Sequence, residues 1–138
     1  MAWQTPKTNW NSDDYYNFGD LNRVEGNSDA VADVIDYYSG VKPTLTGLVT
    51  NRDNTRFEYY DDLNRIENNV IVLKTASYEP PGWITPVTDW ASGDPFDYVD
   101  ANRLEVNLLA LYTLVCNIRD YIPYCGTFAC GQDSTYFL

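Results

Sequence analysis

Three arginines each stand two residues ahead of a glutamate, and each pair sits among an aspartate and two asparagines. The runs are Asp20-Leu21-Asn22-Arg23-Val24-Glu25-Gly26-Asn27, Asp62-Leu63-Asn64-Arg65-Ile66-Glu67-Asn68-Asn69 and Asp100-Ala101-Asn102-Arg103-Leu104-Glu105-Val106-Asn107. Guanidinium and carboxylate groups in this pattern can do two kinds of work. They can form forked ion pairs that fix the position of whatever they join, or two carboxylates can serve as general acid and base. Acid–base work needs carboxylates tuned apart from one another. Here none stands out among 20 Asp and Glu, there is no His, and no Ser or Cys occupies a nucleophile setting. The pattern therefore reads as architecture, and the chain is not expected to be an enzyme.

The elements that must position these residues repeat with them. Asn22 to Asn64 is 42 residues and Asn64 to Asn102 is 38. A period near 40 marks one supersecondary unit whose copies bury their apolar faces against each other. The repeat extends upstream of the block. Trp3-Gln4-Thr5-Pro6-Lys7-Thr8-Asn9-Trp10 matches Trp83-Ile84-Thr85-Pro86-Val87-Thr88-Asp89-Trp90, whereas the middle copy has Leu45, Thr50, Asn51 and Arg52 at the corresponding places. An aromatic residue precedes the block's Asp by two in every copy: Phe18, Tyr60 and Tyr98.

Each unit reads as an extended Trp/Thr-Pro lead, a polar turn and a helix. The leads are extended because proline restricts the residue before it. The helices follow from three- and four-residue steps: Leu21, Val24, Val31, Ile35 and Tyr38; Leu63, Ile66, Val70 and Leu73; Leu104, Leu108, Leu111, Val115, Ile118 and Ile122. Asp20, Asp62 and Asp100 suit N-caps, although Asp94-Pro95 offers the third helix an earlier start. Gly40 is expected to end the first helix, Pro80-Pro81-Gly82 to bar continuation of the second, and Pro123 to stop the third. The inter-helix segments are long enough to run back along a helix. Identical units favour three parallel helices with extended returns, the alternative being an up-down bundle with long loops. The expected fold is mainly α, a pseudo-threefold bundle of three repeats at about 3–40, 45–77 and 83–122. Together they make a repeat domain over 1–122, and residues 123–138 form a short β or irregular tail.

Within a helix, Arg and the second Asn share one face (Arg23 with Asn27, Arg65 with Asn69, Arg103 with Asn107) and the first Asn and Glu the adjacent one. Arg and Glu two apart do not face each other. The expectation is a ring in which each Arg fork meets the Glu or Asp of the next copy and fixes register as a buried polar layer does; solvated surface charges are the alternative. Trp10 and Trp90 are expected, with Trp3 and Trp83, to clamp the leads onto the helices, a sugar-stacking platform being the alternative. No calcium-loop pattern is complete around Asn9, Asn11 and Asp13 or Asn51 and Asp53. Cys125 and Cys130 fit no four-ligand zinc spacing, and Cys116 reads as a small buried hydrophobe. No metal or cofactor is expected.

The net charge is −11, with nine Lys and Arg. This argues against direct binding of nucleic acid, which needs a basic face, and against anionic membranes. The opening Met1 to Pro6 lacks the basic and apolar regions of a secretory leader, and cytoplasmic synthesis is expected. The tail, with Phe128, Tyr136, Phe137 and Leu138, is a candidate docking strand for a partner.

The signature of Trp10 or Trp90 followed by Asp-Leu-Asn-Arg-Ile-Glu-x-Asn, best seen at Asp62 through Asn69, resembles a repeat of structural proteins in bacteriophages and phage-like particles. It covers all three units but not the tail, and Arg52 stands where a Trp is expected. The resemblance implies a virion component of the tail, baseplate or fibre attachment, made in the host cytoplasm. It would contact other virion proteins or further copies of itself. A carbohydrate-binding module for a host surface is the alternative.

Overall fold

The computed structural model describes residues 1–53 and 60–126, with side chains through residue 121. Three α-helices carry the chain, α1 (Phe18–Ser39), α2 (Tyr60–Ala76) and α3 (Tyr98–Gly126), and no strand occurs among the described residues. The helices meet along one apolar seam. Val24, Ser28, Val31 and Ile35 of α1, Ile66, Val70 and Leu73 of α2, and Leu104, Leu108, Leu111 and Val115 of α3 are all buried. Their steps of four, three and four are the 3.5-residue period that keeps one stripe facing its neighbours along a bundle. Each large aliphatic side chain so buried contributes roughly 1.5–3 kcal/mol. Ser28 is tolerated in the seam because its hydroxyl donates to the Val24 carbonyl at 3.1 Å.

All three helices point the same way. Near their starts Arg23 of α1 reaches Glu105 of α3, and Arg65 of α2 reaches Glu25 of α1. Farther along, Ala30, Val34 and Tyr37 of α1 line one groove with Tyr112 and Arg119 of α3, and the adjacent lead residues Trp83 and Ile84 meet Lys74 of α2 and Asn107 of α3. Contacts between corresponding levels at two heights require parallel neighbours. The leads run the opposite way. The first is fastened by Gln4 to Asn27, well inside α1, and then by Trp10 to Asn102, nearer the start of α3.

The helix ends differ from expectation in two places. The N-caps are Asn17 and Asp97, not Asp20 and Asp100. The Asn17 side chain accepts from Gly19 N–H at 2.9 Å while Asp20 reaches back to the Asn17 N–H at 2.8 Å. Asp97 and Asp100 repeat this exchange, with Val99 N–H on Asp97 at 2.9 Å and Asp97 N–H on Asp100 at 3.0 Å. This is a capping box with the acid at its third helical position. Asp62 has the same spacing from α2, whose preceding residue lies outside the described chain. The third helix does not begin at Asp94-Pro95. Asp94 instead closes a tight turn, accepting from Ala91 N–H at 2.9 Å.

The second departure is at the far end. Gly40 closes α1 in the left-handed conformation (φ 78°), its N–H donating to Asp36 at 2.8 Å. Pro123, however, does not stop α3, whose helical backbone runs to Gly126. In a last turn a proline removes one backbone bond, a smaller loss than at mid-helix. The tail residues Phe128, Tyr136, Phe137 and Leu138, with Cys130, lie outside the described residues.

Candidate functional site

The repeated block places two kinds of polar device on each helix. The first is a carboxamide clamp. Asn27 accepts from Gln4 N–H at 2.8 Å and donates to Gln4 C=O at 2.9 Å. Asn69 does the same to Thr46 (2.8 and 3.0 Å) and Asn107 to Ile84 (2.9 and 2.7 Å). These three clamp the unit's own lead. The block's first asparagine clamps another unit's lead: Asn22 holds Arg52 (3.0 and 3.1 Å), Asn64 holds Trp90 (2.8 and 3.0 Å), and Asn102 holds Trp10 (2.8 and 3.0 Å). A side-chain amide, with its acceptor and donor side by side, can accept from a backbone N–H and donate to the C=O of the same residue; a carboxylate has no donor to offer. The chemistry explains why Asn, and not Asp, recurs at these six positions.

The second device is a closed cycle of ion pairs. Arg23 meets Glu105 through Nε (2.8 Å) and Nη2 (2.6 Å). Arg103 meets Glu67 through the same two nitrogens at 3.0 and 2.6 Å. Arg65 meets Glu25 through Nη1, and through Nη2 at 3.2 Å. The cycle thus runs from α1 to α3, from α3 to α2 and from α2 to α1. Each arginine is also held by the aspartate of its own block, three residues earlier: Asp20 at 3.1 Å, Asp62 at 3.5 Å and Asp100 at 2.7 Å. The expected partner was the Glu or Asp of the next copy. The preceding copy, taken cyclically, supplies the Glu instead, and the Asp is intrahelical because three residues span one turn.

The glutamates are sealed, with Glu25 and Glu105 1% exposed and Glu67 2%. Their remaining acceptor capacity is met from the leads. Trp10 Nε1 donates to Glu105 and Trp90 Nε1 to Glu67, both at 2.9 Å. Where the middle lead has Arg52, its guanidinium Nη2 donates to Glu25 while Nη1 donates to the Val49 carbonyl at 2.6 Å. The cycle keeps its arginines charged. Hydrogen bonding to Glu105 lifts the Arg23 guanidinium above its ordinary value. For Arg65 and Arg103 burial pushes downward most strongly, but bonds to Glu25 and to Glu67, with the adjacent aspartates, outweigh it.

The tryptophans are committed to this framework. Trp10 and Trp90 are 6% and 7% exposed. Trp3 stacks on Tyr112 with ring centroids 4.0 Å apart, and Trp83 packs on the core with Lys74 above its ring at 5.6 Å. The polar turn residues serve local geometry. Asn11 accepts from Asp13 N–H at 2.8 Å, and Asp14 accepts from Asn11 N–H at 3.1 Å and pairs with Lys7 at 3.0 Å. Among the described residues no group of three or more Asp, Glu or Cys side chains is placed to hold a metal ion, and no helix is long and apolar enough to cross a membrane.

Sequence reasoning missed Arg52 as a member of the ion-pair layer and missed the clamps altogether. A signal for the clamps is present. The lead residue and its asparagine are 23 positions apart in all three units, at Gln4–Asn27, Thr46–Asn69 and Ile84–Asn107, so the distance is kept while the lead side chains change. Compared with family models, curated proteins and solved structures, the chain matches none.

Proposed function

We propose that the three sequence units are structural repeats packed about a common pseudo-threefold axis, and that the protein is a structural or adaptor component of a bacteriophage particle. Its place is in the tail, the baseplate or the attachment of a fibre, and it works through protein–protein contacts within the virion. The observation that carries this reading is the direction of the repeated polar groups. Asn, Arg and Glu of each block make their bonds to the chain's own leads and helices, so the triplicated signature acts as a frame. The resemblance of that signature to repeats of phage structural proteins supplies the setting. The aromatic faces that a glycan platform would need are engaged at Trp10 and Trp90 and stacked at Trp3, which favours the frame over the carbohydrate module.

The test is mass spectrometry of intact particles purified from the source. A structural subunit is present at a fixed copy number relative to the major tail protein and survives repeated density-gradient purification. A chain that washes out, or whose amount varies between preparations, ends the reading.

A further inference from the structure

The aromatic that opens each helix takes no part in the network just described. Phe18, Tyr60 and Tyr98 are the first residues of α1, α2 and α3, and they are 45%, 42% and 43% exposed. A ring at this position does little for the helix. The cap is the residue before it, and the inward packing at the chain entry belongs to Tyr16 and Phe96, whose rings lie 5.1 Å apart with Trp10 and Trp90 beside them. Three large aromatics, equally exposed at equivalent places on parallel helices, therefore ring the N-terminal end of the bundle.

Hollows lie beside these rings. One of about 260 Å³ is flanked by Phe18, Leu21 and Arg52, and one of about 270 Å³ by Tyr60, Leu63 and Trp90. Phe18, Leu21 and Arg52 correspond position by position to Tyr60, Leu63 and Trp90, and the two hollows adjoin, with Leu63 and Phe96 lining both. Among the described residues the same end is acidic: Asp13, Asp61, Asp94 and Asp97 are exposed there, and Lys7 at its edge is tied to Asp14.

We infer that this face docks the end of a homotrimeric protein. The partner's own threefold axis continues the axis of the bundle, and each of its protomers offers an apolar side chain flanked by a basic one. The inference rests on the structural-component reading and names the kind of partner that reading leaves open. A true threefold presents identical groups at 120° intervals, which is what three equivalent, equally exposed aromatics fit. A partner lacking that symmetry would use one of them and leave the others bare to water. Charge selects further. A second copy of this chain would set carboxylates against carboxylates, whereas basic side chains are attracted and oriented by them.

The experiment places a photo-crosslinking benzoylphenylalanine at position 18, 60 or 98 of the full chain and illuminates particles assembled in the host. A matching set carries it at Tyr37 and Tyr78, exposed at the opposite end. The expected result is a cross-link from each of the three N-terminal positions to the same segment of one homotrimeric protein, with a ratio of one chain to three. The combined Phe18→Ala, Tyr60→Ala and Tyr98→Ala variant should keep the wild-type helical content and fall at least tenfold in particle incorporation. Three results overturn the inference while sparing the structural reading: undiminished incorporation of that variant, cross-links confined to a single-copy protein, or cross-links to another copy of this chain. Absence of the unmodified chain from particles would remove both.

Discussion

Glu67 and Glu105 each receive one guanidinium and one indole N–H, Glu67 with a further bond from the Val87 N–H at 3.2 Å, whereas Glu25 receives two guanidiniums. The three sites otherwise share the same helix position, the same depth of burial and a lead clamped by the same asparagine. The difference shows what the position demands. A sealed carboxylate needs its second oxygen satisfied, and any donor of suitable reach delivered by the lead will do. The aromatic character of Trp10 and Trp90 is secondary to their N–H. Charge, however, is not shared equally, because Glu25 receives two guanidiniums where Glu67 and Glu105 receive one.

Removing charge without changing shape exposes that inequality. Glu25→Gln turns two guanidiniums toward a neutral amide and leaves Arg65 only the long contact to Asp62 at 3.5 Å, and the expected loss is about 3–5 kcal/mol, as for other buried pairs deprived of one partner. Glu67→Gln leaves Arg103 still held by Asp100 at 2.7 Å, and the expected loss is about 1.5–3 kcal/mol, the scale of a hydrogen bond to a charged group. Denaturant melts of the two variants side by side decide the matter. Equal losses would mean that the Arg52 charge is balanced elsewhere and that the middle site is no different in kind.

The clamps beneath the two sorts of lead ought to be nearly indifferent to them. Asn22 grips the backbone of Arg52 and Asn64 that of Trp90 with nearly the same distances, and Asn22 adds only a long bond from the Arg52 guanidinium at 3.4 Å. Asn22→Ala and Asn64→Ala should each cost about 1–3 kcal/mol, the penalty for leaving partly buried backbone groups unpaired. A gap above about 1.4 kcal/mol between them, a tenfold difference in the folding equilibrium, would show that the lead's side chain governs how firmly its backbone is held.

Much of this frame was legible in the sequence and some was not, for physical reasons. The helices could be read because the seam residues Ile66, Val70 and Leu73 repeat at the period of the structure they form. The Arg–Glu pairing could be expected because two charged residues with no partner on their own face recur together. Which copy each arginine chooses was read the wrong way round, next instead of preceding: the sense of the cycle, α1 to α3 to α2, depends on how the helices are arranged relative to one another. The clamps were hidden because their partners are backbone groups of Gln4, Thr46 and Ile84, and a backbone group leaves no trace in residue identity. The caps were misplaced by three residues because a capping box contains two groups that both suit a helix start, and Asp20 is the one inside.

A milder contrast between units lies above the ion-pair layer. Tyr16 occupies in the first unit the place of Phe96 in the third, and its buried hydroxyl has no hydrogen-bond partner among the described residues. Burial, with the charges of Glu105 and Asp20, drives its ionisation well above the ordinary tyrosine range. A hydroxyl that loses water and gains nothing in return is a cost. Tyr16→Phe should therefore be neutral or should stabilise by up to about 1 kcal/mol, read as a higher denaturant midpoint. A loss of more than about 1 kcal/mol would reveal a bond to that hydroxyl and would separate the two units at this position.

The smallest effect comes from the surface, where the arrangement at Glu25 appears with its signs reversed. Lys42 bridges two carboxylates, Asp29 at 3.0 Å and Asp33 at 2.8 Å. Its hydrogen bonds to Asp33 and Asp29 raise its own ionisation, and its bond to Asp33, followed by that of the Met1 amino group, holds Asp33 below the usual carboxylate range. The signs follow from linkage. The Asp33 contribution is present above the unfolded carboxylate value near pH 4 and is lost as pH falls through the lowered folded value. The Lys42 contribution is present below its unfolded value and is lost as pH rises through the raised one. Lys42→Met should flatten stability at both extremes and cost no more than about 0.5 kcal/mol at neutral pH, because Lys42 and Asp33 are exposed and screened. Melts in low and high salt at neutral pH, repeated in acid and in alkali, test this. A neutral-pH loss approaching that of Glu25→Gln would mean that burial is not what separates the inner ion pairs from the outer ones, and the distinction between frame and surface would fail with it.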